Sequence, residues 1–116
     1  MIPLLSAKLH KATVTDANID YEGSITISQR LLSAAGIVEY QKVMVVNIDN
    51  GNRFETYVIS SNEKNVICIN GAAARLVLPN DKVIIMSFEY FEKKDILTHC
   101  PTIIVLGENN MIIENK

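Results

Sequence analysis

The sequence predicts a single, mainly β domain with one or two short helices, and three observations support this. At 116 residues, the chain is long enough for one hydrophobic core but not for two. Short runs rich in Val, Ile, Tyr, Phe and Thr alternate with turn residues, which is typical of a small β fold. Three runs, at 43–46, 83–86 and 103–106, are apolar at successive positions. They predict strands covered on both faces, which favours a barrel that also assembles into an oligomer.

Eight runs are predicted to be strands. They cover residues 8–14, 24–28, 43–49, 53–60, 66–69, 82–89, 102–106 and 111–114. A helix is expected over 29–35, because Ser28 can cap its start and Gly36 can end it. Asn50-Gly51 predicts a type I′ hairpin turn, since both residues tolerate positive φ. Further turns are expected at 78–81 and 107–110, and a second helical turn at 72–75.

Charge and composition exclude several functional classes. The 11 Lys and Arg residues against 13 Asp and Glu give a net charge of −2, so no positive field favours nucleic acid or anionic lipid. The apolar N-terminal segment 1–8 has no basic region ahead of it and does not resemble a signal peptide. No apolar run approaches the ~20 residues needed to cross a bilayer. We therefore expect a soluble cytoplasmic domain, in which Cys68 and Cys100 are reduced thiols.

Metal and phosphate sites are not indicated. His10, His99, Cys68 and Cys100 lack the close spacing of metal ligands, and structural or incidental roles are expected for all four. The adjacency of His99 and Cys100 in sequence does not establish a nucleophile pair. The small-residue segment 70–74 lacks the Lys-Ser/Thr of a phosphate-binding loop.

The dipeptide Gly23-Ser24 is a candidate for self-cleavage. Glycine is the least hindered acyl group that a serine hydroxyl could attack on its own N-terminal side, and backbone strain would assist that step. The resulting ester can eliminate to dehydroalanine, which hydrolyses to a pyruvoyl group. Taken alone, however, Gly-Ser is far more often an ordinary turn.

The segment Asn70-Gly-Ala-Ala-Ala74 is a second candidate. Its small residues leave room for a ligand near the backbone, and the amide groups at the start of a helical turn can bind an anion. Taken alone, this pattern is typical of a turn leading into a short helix.

In order along the chain, these segments resemble the bacterial pyruvoyl-dependent aspartate 1-decarboxylase family. The resemblance covers residues 1–107, and the C-terminal tail carries little of it. The matching motifs are Lys8-Leu-His-Lys11, Tyr21-Glu-Gly-Ser24, Ala34-Ala-Gly-Ile37, Asn50-Gly-Asn-Arg-Phe54, Thr56-Tyr57, Asn70-Gly-Ala-Ala-Ala74, Val83-Ile-Ile85 and Ser87-Phe88.

The resemblance implies a double-psi β-barrel that assembles as a homotetramer with active sites between subunits. It also implies self-cleavage into a short β chain, residues 1–23, and a long α chain, residues 24–116, which begins with a covalent pyruvoyl cofactor made from Ser24. No metal is implied. The pyruvoyl group would form a Schiff base with L-aspartate and act as an electron sink. The products would be β-alanine and CO2, for pantothenate and coenzyme A synthesis.

The resemblance also implies roles for individual residues. Arg53 would bind a substrate carboxylate through its planar fork, with Lys8 as a second cation. Tyr57 would donate the proton that completes decarboxylation. Thr56 would contact substrate and steer cleavage near Gly23. The substrate-binding turn would consist of Gly71, Ala72 and Ala73, and supporting roles would fall to Asn70, His10 and Tyr21.

Two alternatives remain open. The chain could be a non-catalytic β-barrel interaction module, or a pyruvoyl decarboxylase for another amino acid. Arg53 and Tyr57 share one face of a predicted strand, and a solvated surface pair would show the same spacing. The simultaneous presence of Gly23-Ser24, Arg53, Tyr57 and the alanine turn argues against the first alternative. Two cations argue against an apolar substrate.

Overall fold

The computed structural model describes residues 1–116, which form nine strands, one α-helix and three 3₁₀ turns. The strands are β1 (Ile2–Thr13), β2 (Asp16–Asn18), β3 (Ser24–Ser28), β4 (Lys42–Asn47), β5 (Arg53–Ser61), β6 (Ile67–Asn70), β7 (Lys82–Phe91), β8 (Thr102–Leu106) and β9 (Ile112–Asn115). Helix α1 spans Gln29–Ala35, and the 3₁₀ turns are Gly71–Leu76, Lys93–Asp95 and Glu108–Asn110. The prediction of a mainly β domain is confirmed.

The strands form one curved sheet in the order β2-β6-β3-β5-β4-β7-β1-β8-β9. Most neighbours are antiparallel, but β1 with β8, β2 with β6, and β3 with β5 are parallel pairs. Parallel neighbours require crossover connections, so distant parts of the chain interlock around one core. This mixed arrangement agrees with the small double-psi barrel that the resemblance implied.

The hydrophobic core is a single cluster of 20 buried residues on the inner face of the sheet. Every second side chain of a strand faces this core, as in β3, where Ile25 and Ile27 are fully buried. Helix α1 adds Leu31 and Leu32. The remaining alternate positions face outward, and those of β2, β6, β3 and β5 form the site described below.

The predicted boundaries of β3 and β8 match the structure residue for residue, and those of β4, β5, β6, β7 and β9 lie within two residues of it. The first strand was predicted to begin at residue 8, but β1 begins at Ile2 because residues 2–5 pair with the end of β7. Helix α1 begins and ends where expected, with Gly36 in the left-handed conformation at φ 75°, although Ser28 makes no side-chain cap. Strand β2 was not expected, because Asp16-Ala-Asn18 is short and polar. It forms through parallel pairing with β6.

The predicted type I′ turn at Asn50-Gly51 is wrong, although the hairpin between β4 and β5 is present. Only Gly51 has positive φ, at 78°. The loop is longer than two residues because asparagine side chains stabilise it. Asn47 Oδ1 accepts from Asp49 N at 2.9 Å, and Asn50 Oδ1 accepts from Asn52 N at 2.8 Å.

Candidate active site

An open cleft of about 940 Å³ lies on the outer face of β2, β6, β3 and β5. Its walls come mainly from alternate strand positions, which share one face of the sheet. The lining residues are Thr15, Asp16, Asp20, Tyr21, Glu22, Ser24, Thr26, Tyr57, Ile59, Ser61, Glu63, Val66, Cys68 and Asn70. The cleft therefore contains Ser24, Tyr57, Asn70 and Tyr21 of the residues predicted to form the site.

Ser24 begins β3 and is only 5% exposed. Its hydroxyl accepts a hydrogen bond from Asn70 Nδ2 at 3.0 Å, and Asn70 Nδ2 also donates to Thr26 Oγ1 at 3.0 Å. Asn70 precedes the 3₁₀ turn Gly71–Leu76, yet its side chain makes no cap for that turn. The amide is committed to the two hydroxyls of β3 instead.

Cys68 lies two residues before Asn70 on the same face of β6. Its thiol donates to Asn70 Oδ1 with a separation of 3.2 Å. Burial raises the pKa of the Cys68 thiol, and the carboxylates of Asp16 and Glu63 raise it further. Both polar ends of the Asn70 side chain are thus engaged beside Ser24.

Gly71 lies directly against the peptide that precedes Ser24. A Cβ on Gly71 would come within 2.6 Å of Gly23 Cα and 2.7 Å of Gly23 N, and within 3.1 Å of the Tyr21 carbonyl oxygen. Gly71 also has φ of 73°, which side chains rarely adopt. Only glycine fits both the space and the backbone conformation here. Ala72 follows as an exposed residue, and Ala73 packs on the core.

Tyr57 reaches the cleft from β5. The parallel pairing of Ile25 with Val58 sets Tyr57 beside Ser24, and 37% of Tyr57 is exposed. Its neighbour Thr56 points to the opposite face of β5, because successive side chains alternate, and it does not line the cleft.

The cleft of a single chain carries acidic but no basic side chains. Asp16, Asp20, Glu22 and Glu63 line it, whereas Lys8 and Arg53 do not. Arg53 is four residues before Tyr57 on the same face of β5, which is about 13 Å along the strand. Lys8 lies on β1 and is half-buried.

Lys8 and Arg53 flank a half-buried apolar patch on the outer face of β4 and β7. The patch consists of Met44, Val46, Ile84 and Met86. Strand pairing sets Met44 beside Met86 and Val46 beside Ile84. Lys8 pairs with Met86 on one side, and Arg53 pairs with Val46 on the other. The two cations thus border an apolar part of the outer sheet surface.

His10 lies on β1, two residues after Lys8, and its Nδ1 atom is buried without a hydrogen-bond partner. Burial lowers the pKa of His10, and the charges of Lys8, Lys11 and Lys116 lower it further. The structure does not bring His10 to the cleft.

No group of three or more His, Cys, Asp or Glu side chains is arranged to hold a metal ion. Both cysteines are free thiols, Cys68 half-buried and Cys100 exposed. None of the helices is long and apolar enough to cross a membrane.

Comparison with known proteins gives a consistent result. The sequence profile of the family described as aspartate decarboxylase matches residues 1–113. The chain belongs to the aspartate decarboxylase family. An aspartate 1-decarboxylase of Campylobacter jejuni is 53% identical over 109 residues, which cover 94% of this chain and 86% of the relative. One from Clostridium kluyveri is 52% identical over 96% of this chain and 88% of the relative.

A third relative, an aspartate 1-decarboxylase of Caldicellulosiruptor saccharolyticus, is 52% identical over 98% of this chain and 90% of the relative. The expectation that the chain is an enzyme of the aspartate decarboxylase family is therefore confirmed. The matched length shows that the resemblance also extends beyond residue 107, into the tail.

Sequence reasoning missed most of the other cleft residues, and three of these stand out by their contacts or their position. Thr26 shares the Asn70 amide with Ser24, Cys68 donates to the same amide, and Asp16 reaches the cleft from β2. The alternation in β6 could have indicated Cys68, because apolar Ile67 and Ile69 leave Cys68 and Asn70 on one outer face.

Proposed function

We propose that this protein decarboxylates L-aspartate at the alpha-carboxylate, producing β-alanine and CO2. The observation that carries the proposal is the buried Ser24 hydroxyl held by Asn70 in a cleft that also contains Tyr57. The relatives' names supply the substrate. In a cell, we expect the product to feed pantothenate and coenzyme A synthesis, and we keep a cytoplasmic location as a prediction.

The residues around Ser24 fit a pyruvoyl group made from that serine. Asn70 Nδ2 lies within hydrogen-bond distance of Ser24 Oγ, the atom that would attack the Gly23 carbonyl during self-cleavage. Gly71 leaves the Gly23 backbone the space that a side chain would fill. When present, the pyruvoyl group supplies an electron sink for the loss of CO2.

We infer that the group arises by self-cleavage between Gly23 and Ser24. Ser24 Oγ attacks the Gly23 carbonyl carbon, and the Gly23–Ser24 C–N bond breaks to leave an ester and a free amine. Elimination then removes the Cα proton of residue 24 to a base and breaks the bond between Cβ and the ester oxygen, releasing the Gly23 carboxylate and leaving dehydroalanine. Water hydrolyses its imine tautomer, and ammonia leaves. Asn70 donates to Oγ and can stabilise negative charge that develops there.

Substrate binding follows from charge. Aspartate carries two carboxylates, and the cleft of one chain offers four acidic side chains and no cation. Arg53 and Lys8 are the cations that match the family, and Arg53 can hold a carboxylate through two parallel hydrogen bonds. Gly71, Ala72 and Ala73 form the turn beside the cleft, where lack of bulk lets substrate approach the backbone. Tyr57 donates a proton to the carbon that loses CO2.

Assembly would complete the site. The apolar patch of Met44, Val46, Ile84 and Met86 is half-exposed in one chain, and covering it with a second copy would bury Lys8 and Arg53 at the same contact. We therefore propose a homotetramer in which a neighbouring subunit brings these cations to the cleft. Although Thr56 does not line the cleft of its own chain, we keep it as a residue that contacts substrate and steers cleavage. His10 and Tyr21 keep supporting roles.

The test is an assay of the purified protein with L-aspartate, in which β-alanine and CO2 are both measured. Equal amounts of the two products are expected, with little turnover of L-glutamate or L-alanine. Faster release of CO2 from another amino acid would favour a pyruvoyl decarboxylase with a different substrate. No CO2 from any amino acid, with an intact chain, would favour a non-catalytic interaction module.

A further inference from the structure

The thiol of Cys68 contacts Asn70, the residue whose amide holds the Ser24 hydroxyl. Cys68 sits in the middle of the cleft wall, paired with Thr26 of β3 on one side and with Asp16 of β2 on the other. Its Sγ lies 3.2 Å from Asn70 Oδ1, and no other side chain donates to that oxygen. The hydroxyls of Ser24 and Thr26 can either donate or accept, so the thiol is the side chain that favours Oδ1 at its own end of the Asn70 amide.

The orientation of the Asn70 amide determines whether a hydrogen-bond donor or an acceptor faces Ser24 Oγ. A carboxamide has a donor end and an acceptor end of nearly the same shape. In the observed orientation, Nδ2 donates to both Ser24 Oγ and Thr26 Oγ1, at 3.0 Å each. Rotation by a half-turn would instead present Oδ1 to both hydroxyls. The amide could then stabilise no negative charge on Oγ.

Thiol chemistry fits the role of a donor. A thiol is a weak hydrogen-bond donor when protonated and only an acceptor when ionised. Burial, together with the nearby carboxylates of Asp16 and Glu63, raises the pKa of Cys68 and keeps the proton on sulfur at neutral pH. A protonated Cys68 stabilises the observed orientation, and the flipped one would leave S–H facing an N–H group.

We propose that Cys68 is a positioning residue for self-cleavage, whose thiol holds the Asn70 amide with Nδ2 toward Ser24. The inference rests on the proposed self-cleavage, and it assigns to Cys68 a role that acts only through Asn70. Because one weak hydrogen bond is at stake, its loss should slow cleavage by about threefold to tenfold rather than abolish it.

Two matched pairs of substitutions test the role. Cys68→Ser and Cys68→Ala differ by one hydroxyl. Cys68→Thr and Cys68→Val differ by a hydroxyl in place of a methyl group, and both retain more volume in a strand. The fraction of cleaved chain is followed over time by denaturing mass spectrometry of freshly synthesised protein. The Ser and Thr variants should cleave within about twofold of the unsubstituted rate, and the Ala and Val variants more slowly. The melting temperatures of the two members of a pair should not differ in the same order as their cleavage rates.

Cys100→Ala is the control, because Cys100 is exposed and outside the cleft; it should cleave at the unsubstituted rate. Equal cleavage rates within both pairs would overturn the proposal. If only one pair folds, that pair alone decides. Failure of the unsubstituted chain to cleave would instead remove the proposed function, and with it the basis for a role of Cys68.

Discussion

Gly71 and Gly23 are in backbone contact, so closely that a single methyl group on Gly71 would come within 2.6 Å of Gly23 Cα. The turn expected to bind substrate therefore also supports the peptide expected to be cut. The contact joins two segments that are far apart in sequence, and it explains why residue 71 is glycine.

Gly71→Ala should strongly reduce cleavage at Gly23-Ser24, because the added methyl group displaces the Gly23 backbone from its position beside Ser24. Positive φ at the alanine adds a cost of about 1–2 kcal/mol. The matched controls are Gly36→Ala and Gly51→Ala, which share positive φ but have nothing within 4 Å of the added carbon. All three should lower the melting temperature, while only Gly71→Ala should block cleavage in mass spectra. Normal cleavage in that variant would refute the steric account.

Asn70→Ala should slow cleavage by about tenfold to a hundredfold, because Ser24 Oγ and Thr26 Oγ1 both lose a donor. Asn47→Ala is the comparison. Asn47 is fully buried and donates to Asp81 Oδ2 and Leu76 O, away from the cleft. That variant should lose stability in thermal unfolding yet still cleave when folded. Equal slowing by both substitutions would mean that Asn70 acts only through stability.

Tyr57→Phe should cleave normally but decarboxylate aspartate on the order of a hundredfold more slowly, because it loses only the hydroxyl that supplies the proton. Tyr90→Phe serves as the control, since Tyr90 is an exposed tyrosine outside the cleft. Steady-state β-alanine production should separate the two variants through kcat. Unchanged kcat for Tyr57→Phe would remove this tyrosine from the chemistry.

Lys8 and Arg53 should act on the cleft of a neighbouring subunit. Ser24→Ala lacks the precursor of the pyruvoyl group, and Arg53→Ala lacks the carboxylate-binding fork, so each should be inactive by itself. Co-expression with two different tags, followed by isolation of mixed oligomers, should restore part of the activity. The Ser24→Ala chain would then supply Arg53 to a cleft with an intact Ser24. Absence of activity in verified mixed oligomers would show that Arg53 serves its own chain.

His10 should titrate below the value of about 6.5 for free histidine, because burial and three lysines lower its pKa. The unfolded chain therefore takes up the proton first as the pH falls. Stability due to the neutral imidazole is present above about pH 6.5 and decreases as the pH falls below it. Nuclear magnetic resonance should detect the low midpoint, and Lys8→Ala should raise it. An unchanged midpoint in that variant would contradict the electrostatic contribution of Lys8.

Local patterns predicted much of the fold. The strands and α1 could be recognised because alternation and the stop signal at Gly36 act over a few residues. Strand β2 could not, since a three-residue segment is too short to show a period, and it pairs only once β6 is in place. The loop 48–52 differed from the predicted two-residue turn, because the side-chain oxygens of Asn47 and Asn50 accept backbone hydrogen bonds that stabilise a longer loop.

The site was predicted only in part, for a related reason. Ser24, Asn70 and Tyr57 came from motifs, whereas Thr26 and Cys68 depend on the register between β3 and β6, which a single sequence does not specify. The contact of Gly71 with Gly23 likewise exists only after folding. The positions of Lys8 and Arg53 away from the cleft of their own chain depend on the order of the strands in the sheet.

Denaturing mass spectrometry of the unsubstituted protein tests the central claim most directly. Our account predicts two fragments divided after Gly23, with the fragment from residue 24 onward lighter by one ammonia than a chain that begins with intact serine. Ser24→Ala should remain a single folded chain. A single intact unsubstituted chain after prolonged warm incubation, with no β-alanine formed from aspartate, would contradict the account.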